Sequence, residues 1–357
     1  MKSQYVINVQ ILRFFAALLV ALVHIGINIG DREAAAGRTF AMAYPFDWGL
    51  GVDIFFIISG FIMYYLMHSR FRQPGVARDF LLRRLLRIAP LYWLTTTMTL
   101  LAIVIAAGVI NHSTLDPVHV FASYLFLPWP RADGELFPVL SLGWTLNYEM
   151  FFYFVFAAAL MLPKRIGLVL LAAVFVMLAV AAPLTPSGWW LLRFWGNSII
   201  LEFLIGIWLA HLFISDMRMP RWMSAALVAV GIVAACVFFQ TGSYNTLPRV
   251  LTGGLPALLI ASAFILSPQA SAQKPYTWLA IGGDASYALY LTHPFAAKVV
   301  AVFGVKLGLP PILIFPIAIA ACVALSLMAH FLFEKPVGTY LQRRFGRRPQ
   351  ANAAAPG

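Results

Sequence analysis

Long apolar segments separated by short polar loops dominate the pattern of this 357-residue chain. A segment of about 17 to 25 apolar residues is long enough to cross a bilayer as a helix. Backbone polar groups must pair with one another inside the membrane, so each segment is predicted to be helical. The pattern predicts ten spans, at about 8–28, 48–68, 88–110, 141–162, 166–183, 195–214, 223–240, 250–266, 277–299 and 311–333.

Lysine and arginine residues lie mainly in the loops between these spans. With the N-terminus inside, most of them fall on the inner side, as the positive-inside rule requires. We therefore predict an all-α polytopic membrane protein, a bundle of about ten transmembrane helices with a cytoplasmic N-terminus and a cytoplasmic C-terminus. The membrane domain is expected to cover 1–340, and a basic, then disordered, cytoplasmic tail to cover 341–357.

Composition supports a membrane protein and excludes several other classes. The chain is 62% hydrophobic and 11% charged, whereas soluble domains carry roughly a quarter charged residues. The residues that give the net charge of +12 lie in short loops between apolar spans, as in membrane proteins, so no nucleic-acid partner is expected. Cys236 and Cys322 lie in apolar spans and indicate neither a disulfide framework nor a metal site. There is no P-loop, GxSxG, HExxH, CxxC or Rossmann glycine pattern, so soluble-type nucleotide or metal chemistry is unsupported.

The first span carries two ionisable residues, Arg13 and His24. Eleven residues separate them, which places them about 20° apart around a helix and roughly 16 Å apart along its axis. Charges at membrane depth are costly and usually mark function. The alternative is that Arg13 extends to one interface and His24 simply lies at the other. The shared face favours a functional pair.

The second span begins GVDIFFIISGF and contains Asp53 and Ser59. Asp53 enters the membrane near the end at which His24 is expected, where a carboxylate could orient the imidazole and raise its basicity. The alternatives are a carboxylate hydrated at the interface and, for Ser59, simple helix–helix packing.

The segment 69–87 is predicted to be cytoplasmic and contains six arginines. Arg84 and Arg87 are three residues apart, and Arg83 and Arg87 four apart, so each pair shares a helix face. Such guanidinium clusters bind phosphate in a bidentate manner. The alternative is positive-inside signalling together with contact to anionic lipid headgroups.

The fourth span opens SLGWTLNYEMFFYF, with Glu149 inside an apolar helix and Asn147 beside it. A carboxylate in this setting is functional or forms a structural pair with an arginine. Glu202, in the sixth span, has a similar setting and receives no specific role.

A polar stripe marks the ninth span, GDASYALYLTHPF. Tyr287, Tyr290 and His293 follow one another at intervals of three residues and share a helix face. Pro294 is expected to break or kink the helix there, as at many membrane binding sites. The alternative is an aromatic belt with an interfacial histidine.

Together these stretches resemble the acyltransferase-3 family of membrane-bound O-acyltransferases. The matching pieces are LRFFAALLVALVH, GVDIFFIISGF, RRLLRIAPLYW, WTLNYEMFFY and SYALYLTHP, and they occur in the order typical of the family. The last two look most like the exopolysaccharide-production acetyltransferases that modify succinoglycan-type polymers.

The resemblance implies transfer of an acyl group, most often acetyl, from cytoplasmic acetyl-CoA to a sugar hydroxyl, without a metal. It implies a place in the bacterial inner membrane and, as partners besides the lipid bilayer and the acyl-CoA, a lipid-linked or nascent polysaccharide acceptor and the polysaccharide assembly machinery. His24 would act as catalytic base, and Arg13 would steady the thioester oxyanion or the pantetheine arm. Asp53 or Glu149 would tune the histidine. Matching positions suggest CoA binding by Arg83, Arg84, Arg87 and Ser59, and substrate binding by Tyr287, Tyr290, His293, Trp144 and Asn147.

Two other function classes stay open on the sequence alone. A proton-coupled secondary transporter of a polysaccharide-related or small anionic substrate also uses intramembrane ionisable residues. No inverted repeat relates the two halves of the chain, and transport does not need a cytoplasmic arginine patch. A scaffolding subunit of an export complex would rarely keep such costly buried groups.

Overall fold

A computed structural model describes residues 6–40, 42–110, 116–131, 133–186, 188–270 and 276–345 of the chain. Across these ranges the backbone forms helices and loops, with no strand. The first seven helices are α1 Ile7–Ala35, α2 Leu50–Met67, α3 Val76–Ile110, α4 Pro117–Tyr124, α5 Trp144–Leu160, α6 Lys164–Ala181 and α7 Trp190–Trp195. The remaining seven are α8 Leu201–Ile214, α9 Arg221–Gln240, α10 Leu255–Ile265, α11 Tyr276–Asp284, α12 Ser286–Lys306, α13 Pro311–Ala329 and α14 Lys335–Phe345.

Every predicted span coincides with helical structure. Among the described residues, seven helices are long and apolar enough to cross a membrane: Ile7–Ala35, Leu50–Met67, Val76–Ile105, Lys164–Leu184, Arg221–Gln240, Ser286–Lys306 and Pro311–Phe345. Two shorter apolar helices cover Ser198–Ile214 and Val250–Ile265. The chain is therefore an all-helical protein with several membrane-crossing segments, while the count of ten and the sidedness of the termini stay predictions.

The ninth predicted span differs from expectation in two ways. It consists of two helices, α11 and α12, which meet at Ala285. The expected break at Pro294 is wrong, because α12 continues through this residue. A proline removes only one backbone donor, and α12 is packed against α1 and α13 along its length.

Much of the arginine-rich segment 69–87 is helical. Helix α3 begins at Val76, well before the span predicted from 88, and therefore includes Arg83, Arg84 and Arg87. This extension places all three arginines on a helix that continues into the bundle.

Helices α1 and α2 form the centre of the bundle. In helix α2, 78% of the residues are buried, and the helix packs on α8 through two glycines. A Cβ at Gly60 would lie 2.0 Å from the Phe203 carbonyl oxygen, and a Cβ at Gly206 would lie 2.0 Å from the Ile57 carbonyl oxygen. Glycine at these positions lets two backbones approach closely, as is common between membrane helices.

The outer faces of α6, α9 and α13 are apolar. Large side chains such as Val169, Val233 and Ile312 are more than half exposed on them. A soluble protein rarely exposes apolar faces this large, so these helices face lipid. The predicted tail is described only to residue 345, where it forms the end of α14; residues 346–357 lie outside the described ranges.

Candidate functional site

Helix α1 carries Arg13 and His24 to two different cavities. Arg13 is buried and its Nη1 donates a hydrogen bond to Gln10 Oε1 at 3.1 Å. His24 lies about three helical turns further along the same helix. The helix face that the two residues share therefore borders two separate sites.

The first site, here called the arginine cavity, is lined by Arg13, Arg84 and Arg87 together with Ser59 and Glu149. It is an open cavity of about 780 Å³ between α1, α2, α3, α5 and α12. Nε of Arg84 is buried and has no hydrogen-bond partner among the described residues. Three guanidinium groups around one cavity, one of them with an unused donor, suit an anionic ligand such as a phosphate.

Arg83 lies outside this set. Its side chain is exposed and does not line the arginine cavity, although its neighbour Arg84 does. On a helix, adjacent residues point about 100° apart, so the two cannot share the inward face.

Glu149 places one carboxylate among the three arginines. Its Oε1 accepts hydrogen bonds from Ser59 Oγ, at 3.0 Å, and from the hydroxyl of Tyr153. The expected tuning of His24 by Glu149 does not fit this placement, because His24 lines the other cavity. Glu149 instead offsets part of the positive charge around the arginine cavity, and Ser59 holds it in position.

The second site, here called the histidine cavity, is lined by His24, Asp47, Trp144, Tyr290 and Arg249, with further apolar residues. Its empty volume is about 950 Å³. It shares Val52 and Tyr290 with the arginine cavity, so the two cavities adjoin at these side chains.

The imidazole of His24 is held in one tautomer. Its Nδ1 lies 2.9 Å from the Val20 carbonyl oxygen. A carbonyl only accepts, so in the neutral ring Nδ1 carries the proton and Nε2 keeps its lone pair. Nε2 is therefore the atom that can take a proton from a bound hydroxyl group.

His293 lies directly beside His24, with ring centroids 5.0 Å apart. It repeats the same local bond, from Nδ1 to the Leu289 carbonyl oxygen at 3.0 Å. Its Nε2 is buried without a hydrogen-bond partner in the described structure. His293 thus supports the wall behind His24 rather than lining the cavity itself.

The structure pairs Asp53 with an arginine. It was expected beside His24, but its carboxylate accepts two hydrogen bonds from Arg249, from Nε at 3.0 Å and from Nη2 at 2.9 Å. Glycine at position 253 makes this pair possible, because any Cβ there would lie only 2.4 Å from Asp53 Oδ1. Gly253 belongs to a π-helical turn, Val250–Gly254, and such turns often occur at functional sites.

Arg249 is the residue that sequence reasoning missed. It lies just before the span predicted at 250–266, yet it lines the histidine cavity. The available signal was the Gly253–Gly254 pair, which permits a close approach by another chain segment.

The two tyrosines occupy different places on α12. The Tyr287 hydroxyl donates to the Ile88 carbonyl oxygen at 2.7 Å and lines only the arginine cavity. The Tyr290 hydroxyl contacts Thr145 Oγ1 at 2.9 Å and lines both cavities. Tyr290 is therefore a fixed side chain at the junction.

The last two expected substrate-binding residues, both on α5, separate. Trp144 lines the histidine cavity. Asn147 is fully buried, lines neither cavity, and its amide has no hydrogen-bond partner among the described residues. Among all the residues that the structure describes, no group of three or more His, Cys, Asp or Glu residues could hold a metal ion.

Comparison with known proteins gives consistent results. The family model described as "Acyltransferase domain" matches residues 6–331. The chain is 32% identical over 308 residues to "Exopolysaccharide production protein ExoZ" of Rhizobium meliloti (strain 1021), covering 85% of this chain and 93% of that protein. It is 25% identical over 320 residues to "Putative O-acetyltransferase SACOL0978" of Staphylococcus aureus (strain COL), covering 80% of this chain and 52% of that protein. No solved structure matches the chain.

Proposed function

Because this chain belongs to the acyltransferase-3 family and is a membrane O-acyltransferase, we propose that it transfers an acetyl group from cytoplasmic acetyl-CoA to a sugar hydroxyl of an exopolysaccharide or its lipid-linked precursor. The acetyl group is expected from the relative named as a putative O-acetyltransferase, and the sugar acceptor from the relative whose name refers to exopolysaccharide production. The family assignment favours this activity over transport or scaffolding.

The single observation that carries the proposal is the pair of adjoining cavities along α1. The arginine cavity has the charge to bind the phosphates of CoA, and the histidine cavity has a base. Arg84 and Arg87 would contact the phosphates, while Arg13, deeper on α1, would lie beside the pantetheine arm or the thioester. The thioester would reach the junction at Val52 and Tyr290.

In the proposed reaction, Nε2 of His24 removes the proton from the acceptor hydroxyl as its oxygen attacks the thioester carbonyl. The C–S bond then breaks, and the CoA thiolate leaves as the thiol after taking the proton that Nε2 of His24 had accepted, which restores the neutral imidazole. Arg13, which lines the arginine cavity and not the histidine cavity, would steady the pantetheine arm. The bond from Nδ1 of His24 to the Val20 carbonyl favours this role, because it keeps the lone pair on Nε2.

The test is acetyl transfer from labelled acetyl-CoA by the purified protein to glycans of the host membrane, followed by mass spectrometry. His24→Ala should reduce transfer by at least 100-fold, within the range typical of general base catalysis. His68→Ala is the matched control, since His68 makes the same local bond, from Nδ1 to Tyr65 O at 2.9 Å, but lines neither cavity. Retained transfer by His24→Ala would contradict the assignment.

A further inference from the structure

The histidine cavity contains a guanidinium group that the proposed reaction does not use. Arg249 binds Asp53 through Nε and Nη2, so that one edge of its planar group is fixed. Nη1 makes no hydrogen bond to any described residue. The side chain of Arg249 is 29% exposed, whereas that of Asp53 is 1% exposed. Asp53 therefore lies behind the arginine and holds it, and the remaining donors of Arg249 are available to the cavity.

The surroundings of Asp53 keep this arrangement rigid. Gly253 leaves no space between the π-helical turn and the carboxylate. Glu202 lies on the same side, fully buried, and a Cβ at Gly254 would come 3.1 Å from its Oε1. A bidentate pair fixed by backbone contacts preorganises a donor at little entropic cost.

An acceptor group faces the same cavity. Asp47 lines it, and its Oδ1 accepts a hydrogen bond from the Gly49 amide at 2.7 Å. Oδ2 of Asp47 makes no hydrogen bond to any residue in the described ranges. Trp144, Phe137 and Tyr290 supply aromatic surface in the same lining.

The charges in this cavity do not favour an anion. Asp53 offsets the positive charge of Arg249, Asp47 adds a negative charge, and His24 must be neutral to act as the base of the proposed reaction. A carboxylate or phosphate would meet net negative charge here, in contrast to the arginine cavity. A sugar hydroxyl both donates and accepts, so Asp47 and Arg249 together match it.

We propose that Arg249 and Asp47 bind uncharged sugar hydroxyls of the acceptor in the histidine cavity, with Asp53 as the residue that positions Arg249. This inference rests on the proposed function. It assigns to the acceptor site a preference for a neutral sugar ring over a uronic acid.

The test measures acetyl transfer to methyl glycosides of glucose, galactose and mannose, and to the matching methyl uronides. The wild-type protein should accept at least one neutral glycoside and prefer it to its uronide by at least tenfold in kcat/KM. Arg249→Gln and Asp47→Asn should each raise KM for that glycoside at least tenfold, as expected for loss of a hydrogen bond to a charged group. KM for acetyl-CoA should stay within twofold in both variants.

Two further variants separate positioning from general damage. Asp53→Asn should raise KM for the glycoside as much as Arg249→Gln does. The double variant that carries both substitutions should have the same KM as Arg249→Gln alone. Arg193→Gln is the matched control, since Arg193 is exposed on α7 and lines neither cavity.

The proposal is overturned by preference for the uronides or by an unchanged KM for the glycoside in Arg249→Gln and Asp47→Asn. It is also overturned if the wild-type protein acetylates host glycans but none of the neutral glycosides, a result that would leave the proposed function standing. Loss of the proposed function itself would appear differently, as absence of transfer from acetyl-CoA to any glycan.

Discussion

Arg83 and Arg84 are adjacent in sequence but differ in environment. Arg83 is exposed, while Arg84 lines the arginine cavity with a buried Nε that has no hydrogen-bond partner among the described residues. If this cavity binds the phosphates of CoA, Arg84→Gln should raise KM for acetyl-CoA by about 10- to 100-fold, the value of one or two hydrogen bonds to a charged group. Arg83→Gln should change it less than twofold. Equal effects of the two substitutions in steady-state kinetics would contradict the assignment of the cavity.

At this scale the sequence predicts residues that share a helix face better than residues that meet across the bundle. Arg84 and Arg87 line one cavity as their shared helix face indicates, although Arg83, which is four residues from Arg87, does not line it. The partner of Asp53 could not be predicted in this way. Asp53 and Arg249 are separated by 196 residues, and only the packed bundle brings them together.

Helix α2 contributes one side chain, Val52, to the junction between the two cavities. Val52 lines both of them, so an enlarged side chain at this position should close the junction. Val52→Phe is expected to keep acetyl-CoA binding within about threefold, since RT ln 3 is roughly 0.6 kcal/mol, and to reduce acetyl transfer at least tenfold. Isothermal titration and a transfer assay on the same preparation measure both.

Val104→Phe is the matched control for this substitution, because Val104 is about half exposed on the outer face of α3. It should leave binding and transfer unchanged. Full transfer by Val52→Phe would show that the acyl group does not pass this point.

The contact between α2 and α8 depends on glycine. A Cβ at Gly206 would overlap the Ile57 carbonyl oxygen, whereas a Cβ at Gly338 in α14 would meet nothing within 4 Å. Gly206→Ala should therefore destabilise the fold by about 1 to 3 kcal/mol, as overpacking does. Gly338→Ala should be neutral or slightly stabilising, because alanine favours helix more than glycine.

Thermal unfolding in detergent, followed by circular dichroism, compares these two glycine variants directly. A Tm for Gly206→Ala equal to that of Gly338→Ala would contradict the close packing of α2 on α8.

Helix positions were more predictable than helix interruptions. Each apolar segment coincides with helix, since length and hydropathy are local properties. The interruption at Ala285 and the uninterrupted passage through Pro294 were not predictable, because both depend on neighbouring helices. The same holds for the π-helical turn after Arg249, whose glycines accommodate Asp53 and Glu202.

In the molecule as a whole, the two cavities adjoin along α1, with Arg13 in one and His24 in the other. Both residues were recognisable from the sequence because charged groups in an apolar helix are costly and seldom kept without a use. Their division between two sites was not recognisable, since a shared helix face does not reveal where neighbouring helices close a cavity. The adjoining cavities place a site suited to an anionic donor beside a site suited to a neutral acceptor.

The central claim is that an acetyl group crosses from the donor site to the acceptor site through the bundle. It is tested most directly in proteoliposomes of one orientation, selected through a C-terminal affinity tag, with a neutral methyl glycoside outside. Acetyl-CoA sealed on the side of the C-terminus should label the glycoside on the opposite side. His24→Ala should abolish this labelling, and acetyl-CoA added only on the glycoside's side should give none. Equal labelling with both reagents on the same side would contradict transfer through the two cavities.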